Sequence, residues 1–204
     1  MEKRIPSGSE EMKELFRSLS LIYLSRSRQS MDLSDKRHYR QSSYYKENSP
    51  EFDKLSGQYG QDIKESRLAP SSVGFIDKSM GRGLFSEEDR SAGDFIGEYC
   101  GVIGRALKCR PVKDHLGGFA TDYAWTYPEK RGFRALEVNG RLEGNETRFV
   151  NHSFTPNCRM EHTLVDNRWV LFLVAQKEIA RGEQFTVDYG EEYWTGGHRE
   201  LIII

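Results

Sequence analysis

From residue 71 onward the apolar residues of this chain fall in short β-branched and aromatic runs, and this pattern limits the fold more than any other feature. Val73 to Ile76, Phe95 to Ile103, Leu136 to Val138, Arg168 to Ala175 and Gln184 to Val187 are such runs, punctuated by Gly, Asp and Asn. Strands alternating with helices would mark βαβ units on a parallel sheet; no such alternation occurs, so a doubly wound fold is not expected. Asp166-Asn167, just ahead of the Arg168 run, has the chemistry of a two-residue hairpin turn. Ser86-Glu87-Glu88-Asp89 reads as a helix start or an acidic turn. The expectation is a mainly β domain with short helices.

The chain before residue 71 reads differently. Met12, Leu15, Phe16, Leu19, Ile22 and Tyr23 recur at helical spacing, opened by Ser7 with Glu10 in a capping-box pattern. Between about residues 25 and 65 the sequence is rich in Ser, Tyr, Lys and Arg with little apolar periodicity, which predicts a linker, a partly ordered arm or a docking segment. The stretch from Arg37 to Tyr45 suits an arm that reaches a partner. The division expected is an N-terminal helix and flexible arm over 1–70, a main domain over 71–190 and a C-terminal flank over 191–204.

With 204 residues the chain can hold one well-cored domain and an appendage. Its formal charge of -1 gives no overall basic field, so sequence-specific nucleic-acid binding is not expected. Cys100, Cys109 and Cys158 are widely spaced, with no Cys-x-x-Cys and no His pair at metal spacing. Reduced thiols in an intracellular compartment, and no metal, are expected. Met1-Glu2-Lys3-Arg4 is followed by no long apolar segment, and no apolar run reaches membrane-spanning length, so neither a conventional secretion signal nor a membrane span is expected.

Arg148-Phe149-Val150-Asn151-His152-Ser153-Phe154-Thr155-Pro156-Asn157-Cys158 concentrates an aromatic residue, an Asn-His pair and a Pro-stiffened turn in a polar stretch. In isolation Asn-His-Ser is ordinary loop polarity and Thr-Pro-Asn ordinary turn chemistry. The order of pieces changes that weighting. Gly81-Arg82-Gly83-Leu84-Phe85, Glu98-Tyr99-Cys100-Gly101 and Gly144-Asn145 precede the Asn-His segment, and Asp188-Tyr189-Gly190 follows it. This succession resembles the SET-domain protein lysine methyltransferases, which carry a Gly-x-Gly, a Tyr-x-Gly, a Gly-Asn leading into Arg-Phe-x-Asn-His-Ser-x-x-Pro-Asn, and a closing Asp-Tyr. The resemblance spans residues 70 to 194 or so. It implies a β-clip (SET) fold, several small sheets around a knot-like crossing where the Asn-His and Asp-Tyr segments pass each other, a rare threading.

The same resemblance implies a site for S-adenosyl-L-methionine beside a lysine channel. The backbone of Gly81, Arg82 and Gly83 would lie along the methionine part, Asn151 would hold the amino-acid portion by its side chain, and His152 would meet adenine through its backbone. Arg148 would pair with the cofactor carboxylate or, equally, with Asp188 or Glu137. Tyr123 and Trp125 match aromatic positions beside cofactor and channel, with core packing as the competing account. Tyr189 would point a catalytic hydroxyl at the reacting atoms, and Tyr99 would orient the lysine nitrogen; a buried Tyr with a bonded hydroxyl is the bland account of each. Met160 and Val187 would border the channel, Val187 replacing an aromatic residue that in relatives affects how many methyl groups are added, so product degree stays open. Many relatives follow Asp-Tyr with a Cys-rich zinc segment. Here Tyr193 and Trp194 would close the site instead, with Glu191 and Glu192 on its rim. Leu201 to Ile204 would dock as a strand or meet a second subunit in a homodimer.

The reaction implied is direct displacement by a neutral lysine amine at the sulfonium methyl. With an ordinary pKa of about 10.4, obtaining the neutral amine near pH 7 costs about 4 to 5 kcal/mol, which a desolvating aromatic channel lowers. The expected substrate is a lysine-containing basic protein segment, a histone tail first, with a non-histone protein or a non-catalytic peptide-binding module as alternatives. The expected compartment is the nucleus or cytoplasm of a eukaryotic cell, a host nucleus if the source is a virus or an intracellular bacterium.

Overall fold

The computed structural model describes residues 3–30, 39–105, 122–127, 136–191 and 193. Cys109, Glu192, Trp194 and Leu201 to Ile204 lie outside them. The described residues form five small sheets. β1 (Ile5–Pro6), β4 (Ser71–Asp77) and β5 (Gly81–Ser86) make an antiparallel sheet. β6 (Phe95–Glu98), β13 (Arg168–Ala175) and β12 (Cys158–Val165) make a second, with β13 central. β3 (Arg28–Gln29), β7 (Val102–Arg105), β9 (Leu136–Asn139) and β8 (Ala124–Thr126) make the third. Two parallel pairs complete the set: β2 (Ile22–Tyr23) with β10 (Glu143–Gly144), and β11 (Asn151–His152) with β14 (Thr186–Val187).

The apolar runs become strands much as their composition predicts, with local exceptions. Asp166 and Asn167 both take positive φ, 50° and 59°, the geometry of a type I′ turn, and β12 and β13 pair from Val165 opposite Arg168. The run from Phe95 to Ile103 is two strands, because Cys100-Gly101 turns the chain between β6 and β7. Ser86 to Asp89 forms no helix; it leaves β5 as a bend. β13 is apolar almost without interruption because both its faces are covered. Val170, Phe172 and Val174 meet a helix on one side, while Trp169, Leu171 and Leu173 enter the main core on the other.

That helix, α2 (Ser43–Lys64), overturns the expectation of a linker or partly ordered arm. Its buried stripe is Tyr44, Tyr45, Phe52, Leu55, Tyr59 and Ile63. Pro50, Gly57 and Gly60 inside the helix are poor helix formers and mask the stripe in the sequence. Ser42 caps the start by accepting the Tyr45 N–H. Pro50 has no N–H for the Lys46 carbonyl, and the Ser49 hydroxyl donates to it instead at 3.2 Å. The first helix, α1 (Glu10–Ser18), is shorter than the spacing predicts, and its cap is Ser9, which accepts the Met12 N–H, rather than Ser7. Ser20 at φ 57° ends the helical path, so Ile22 and Tyr23 form β2, with Ile22 58% exposed.

Under the N-terminal half of α2, Tyr39, Tyr44, Phe52, Tyr127, His162 and Trp169 pack ring against ring. Tyr44 Oη lies 2.6 Å from His162 Nε2. Burial pushes this imidazole from its ordinary 6.5 down to about 4. Between those values the unfolded chain binds a proton that the folded chain does not, so stability falls as pH falls. The expected loss is on the order of 3 kcal/mol on going from pH 7 to 4. Urea denaturation across that range checks it, and His162→Phe is expected to flatten the pH dependence.

Candidate active site

β11 and β14 are only two residues each, yet they bring the Asn-His and Asp-Tyr segments side by side, Asn151 opposite Thr186 and His152 opposite Val187. Side chains fasten the crossing. Asn157, buried, accepts the Thr186 N–H at 2.8 Å and donates to the Gln184 carbonyl at 2.8 Å and to Glu183 at 3.0 Å. The Tyr189 N–H donates to His152 Nδ1 at 3.1 Å, and the Tyr189 hydroxyl donates to the Val150 carbonyl at 2.7 Å. His152 therefore accepts at Nδ1, and burial lowers its pKa, which keeps the ring neutral.

Beside this crossing a cavity of about 450 Å³, part of it open to solvent, is lined by residues from six segments of the chain. Tyr99, Tyr123, Trp125, Arg148, Met160, Val187 and Tyr189, all singled out in the sequence, lie on its wall together with Tyr193. The Trp125 ring stands edge-on to Tyr99 at 6.1 Å and to Tyr189 at 6.0 Å, and Tyr193 lies 4.6 Å from Tyr189. The Tyr99 hydroxyl donates to the Tyr123 carbonyl at 2.9 Å. Burial raises its pKa far above the ordinary phenol value, so Tyr99 is a neutral hydroxyl and not a base.

Gly81, Arg82, Gly83, Asn151 and His152 do not line this cavity but are bound to its frame. Asn151 Nδ2 donates to the Arg82 carbonyl at 3.0 Å, which ties β5 to the Asn-His segment. Gly81 has φ +74°, a conformation that favours glycine, with open space where a side chain would begin. Gly83 has a different reason: a Cβ there would lie 2.7 Å from Ile76 and 2.8 Å from the Gln184 amide, so protein rather than ligand occupies that approach.

Arg148 is 7% exposed and forms no ion pair among the described residues. Neither Asp188 nor Glu137 takes the role the sequence left open for them. The guanidinium instead donates to the carbonyls of Gly140 at 3.3 Å and Arg141 at 3.2 Å and lies 4.2 Å over the Tyr123 ring. Burial lowers its pKa. A buried cation on a cavity wall, held by carbonyl oxygens and a π face, has the charge and the planar donors that a carboxylate requires.

The SET domain family matches residues 81–190, more than half of the chain. The chain belongs to the SET-domain family. Among curated relatives it is 29% identical over 133 residues to the histone-lysine N-methyltransferase, H3 lysine-36 specific, of Saccharomyces cerevisiae, covering 63% of this chain and 17% of that protein. It is 32% identical over 129 residues to the probable histone-lysine N-methyltransferase set-23 of Caenorhabditis elegans, covering 61% of this chain and 52% of the relative. The chain thus spans about half or less of the length of these relatives. Among solved structures, ATXR5 in complex with histone H3.1 superposes with a TM-score of 0.62 at 19% identity, over 87% of this chain and 85% of that one. That likeness shows the fold and extends it well beyond residues 81–190.

Within the SET domain two residues matter that the sequence reading passed over. Asn157 was legible only as part of a Pro-Asn turn. Glu98, one residue before Tyr99, is 3% exposed and takes a two-point ion pair from Arg168 at 2.5 and 3.0 Å. Its own carbonyl accepts from Asn145 at 3.0 Å and Thr147 at 3.3 Å, which fixes the end of β6, next to Tyr99, against the turn carrying Arg148. Nothing in the local sequence separates Glu98 from a surface glutamate; Arg168 lies at the far end of a hairpin. Among the described residues no group of three or more His, Cys, Asp or Glu could hold a metal ion, and no helix is long and apolar enough to cross a membrane. Arg168→Ala leaves the Glu98 carboxylate buried without its cation and is expected to cost about 3 kcal/mol of stability, read as a lowered urea midpoint at unchanged slope.

Proposed function

We propose that this SET domain transfers a methyl group from S-adenosyl-L-methionine to a lysine side chain of a protein, most simply a histone tail. The observation that carries the reading is the cavity that gathers Tyr99, Trp125 and Tyr189 against a buried Arg148 that has no acidic partner among the described residues. Family membership and the names of the curated relatives support it.

Arg148 fits the carboxylate of the cofactor's amino-acid part, and Asn151 and the Gly81 to Gly83 backbone would hold the remainder of that part. His152 would support adenine, with Trp194 outside the described residues. When bound, S-adenosyl-L-methionine supplies an electrophilic sulfonium methyl. The protein's own residues must present a neutral amine to it. Each of the Tyr99 and Tyr189 hydroxyls gives its proton to a backbone carbonyl, so toward a ligand it offers oxygen lone pairs. Those acceptors orient the N–H bonds of a lysine amine and so aim its lone pair. The rings of Trp125, Tyr99 and Tyr189 disfavour the ammonium by desolvating it, which lowers the roughly 4 to 5 kcal/mol needed to reach the neutral amine near pH 7. Tyr99 and His152, both held neutral by burial, supply no ionised base. Met160 and Val187 on the same wall set the room left around the methylated nitrogen. The H3.1-bound structural neighbour and the histone methyltransferase relatives favour a histone in a nucleus as substrate and place.

The test is transfer of labelled methyl from S-adenosyl-L-methionine to core histones and to total lysate, with Tyr189→Phe alongside. Label on histone bands that drops about 100-fold in the variant is the expected result; label confined to other proteins moves the substrate away from histones, and cofactor binding without any labelled protein favours a non-catalytic peptide-binding module. Calorimetry adds an independent check, with Arg148→Leu expected to weaken cofactor binding about tenfold or more.

A further inference from the structure

Two buried carboxylates stand directly before residues of the cavity wall, and the first thirty residues of the chain reach both. Glu98 precedes Tyr99, and its carboxylate accepts the Ser27 N–H at 2.8 Å besides pairing with Arg168. Glu146 precedes Thr147 and Arg148, which both line the cavity, and is fully buried at 0% exposure. The Gly8 N–H donates to Glu146 Oε1 at 2.7 Å, and the Tyr23 hydroxyl lies 3.1 Å from both carboxylate oxygens. Among the described residues Glu146 has no cation and no other side-chain hydrogen-bond partner. Among the described residues both hydrogen-bond partners of this buried carboxyl group, the Gly8 N–H and the Tyr23 hydroxyl, come from residues before 24.

The same N-terminal stretch is woven into the frame around the turn Glu146–Phe149. β2 pairs in parallel with β10, just ahead of Glu146, and the Leu24 N–H donates to the Gly144 carbonyl at 2.8 Å. Phe16 stands edge-on to both Tyr23 at 5.2 Å and Phe149 at 5.9 Å. We propose that Glu146 is a positioning residue through which docking of residues 3–30 sets the Thr147-Arg148 wall of the cavity, so that the N-terminal segment controls catalytic competence. The proposal rests on the reading of that cavity as the methyl-transfer site. A buried carboxyl group stripped of both hydrogen-bond partners is costly where it stands. It must move to recover hydrogen-bond partners, and that movement shifts the turn that holds the Arg148 guanidinium over Tyr123.

The test compares Glu146→Gln, Glu146→Leu and Tyr23→Phe in the full chain, reading kcat and KM for methyl transfer together with hydrogen exchange over 3–30, 97–101 and 146–150. Glu146→Leu is expected to speed exchange at 3–30 and 146–150 and to lower kcat about tenfold or more. Glu146→Gln, which can still accept the Gly8 N–H and meet the Tyr23 hydroxyl, is expected to stay within about twofold of the parent. Tyr23→Phe, which keeps the Gly8 bond, is expected to fall between them and decides the matter if the Leu variant does not fold. A folded Leu variant with parent-like kcat overturns the proposal, as does a Tyr23→Phe protein with unchanged exchange at 146–150, or a Gln variant as impaired as the Leu one. A parent that transfers no methyl to any protein sinks the functional reading instead, and the exchange data still decide the coupling on their own.

Discussion

The site depends on the parallel contact of Asn151-His152 with Thr186-Val187, a pairing too short to hold itself. Two-residue strands contribute few ladder bonds, and an isolated pair of this size has no independent stability. What brings the segments together is the β12–β13 hairpin between them, whose register runs unbroken from Cys158 opposite Ala175 to the turn. That hairpin, paired with β6 and packed on both faces of β13, shortens the effective loop between the two segments and so lowers the entropic cost of closing the crossing. Asn157 then stitches the two sides with bonds to the backbone of Gln184 and Thr186. Tyr189 is placed by the same contact, its N–H on His152 and its hydroxyl on Val150.

Burial gives this cavity an unusual electrostatic character. It raises the Tyr99 phenol, lowers the His152 imidazole and lowers the Arg148 guanidinium, each toward or along its neutral form. The same burial that acts on Tyr99 and Arg148 at the wall disfavours charge on a guest amine beside them. On the proposed reading the protein need not carry a proton away at the moment of reaction; the substrate sheds it on entering, and the two hydroxyls act by orientation. Arg148 is the exception that retains its charge, and its carbonyl partners at Gly140 and Arg141 leave it able to take a carboxylate.

How much of this was legible in the sequence follows from how local each signal is. The hairpin at Asp166-Asn167 and the run of β13 are local signals and sit where their chemistry predicts; the ordered glycine, tyrosine and Asn-His motifs are local too, but Gly81, Gly83, Asn151 and His152 join the frame of the cavity and not its wall. Seven of the residues so chosen share one cavity wall. Interactions between distant positions were not legible: Glu98 with Arg168, Asn157 with Thr186, Glu146 with Tyr23. α2 was missed for another reason. Half of its buried stripe is tyrosine, and Pro50, Gly57 and Gly60 within the segment speak against a helix, but each hydroxyl finds a partner: Tyr44 at His162, Tyr45 at Asp53, Tyr59 at the Gly93 carbonyl. Once those hydroxyls are satisfied, the rings bury as phenylalanines would.

The boundary suggested by composition near residue 70 and the family match beginning at residue 81 both fall inside a continuous set of sheets. β1 covers the edge of β4, β3 covers the edge of β7, and β2 covers β10, so three sheets take one strand each from the first thirty residues. Removing those strands would expose three rows of unpaired backbone donors and acceptors, the condition that invites aggregation in β proteins. It would also strip the inner face of α1, where Met12 and Phe16 are fully buried. The unit that must fold together is therefore larger than the segment that carries the recognisable motifs. Short strands make a poor core by themselves, and here the N-terminal segment supplies both the missing edges and the apolar face against which the motif-bearing turns can be held rigid.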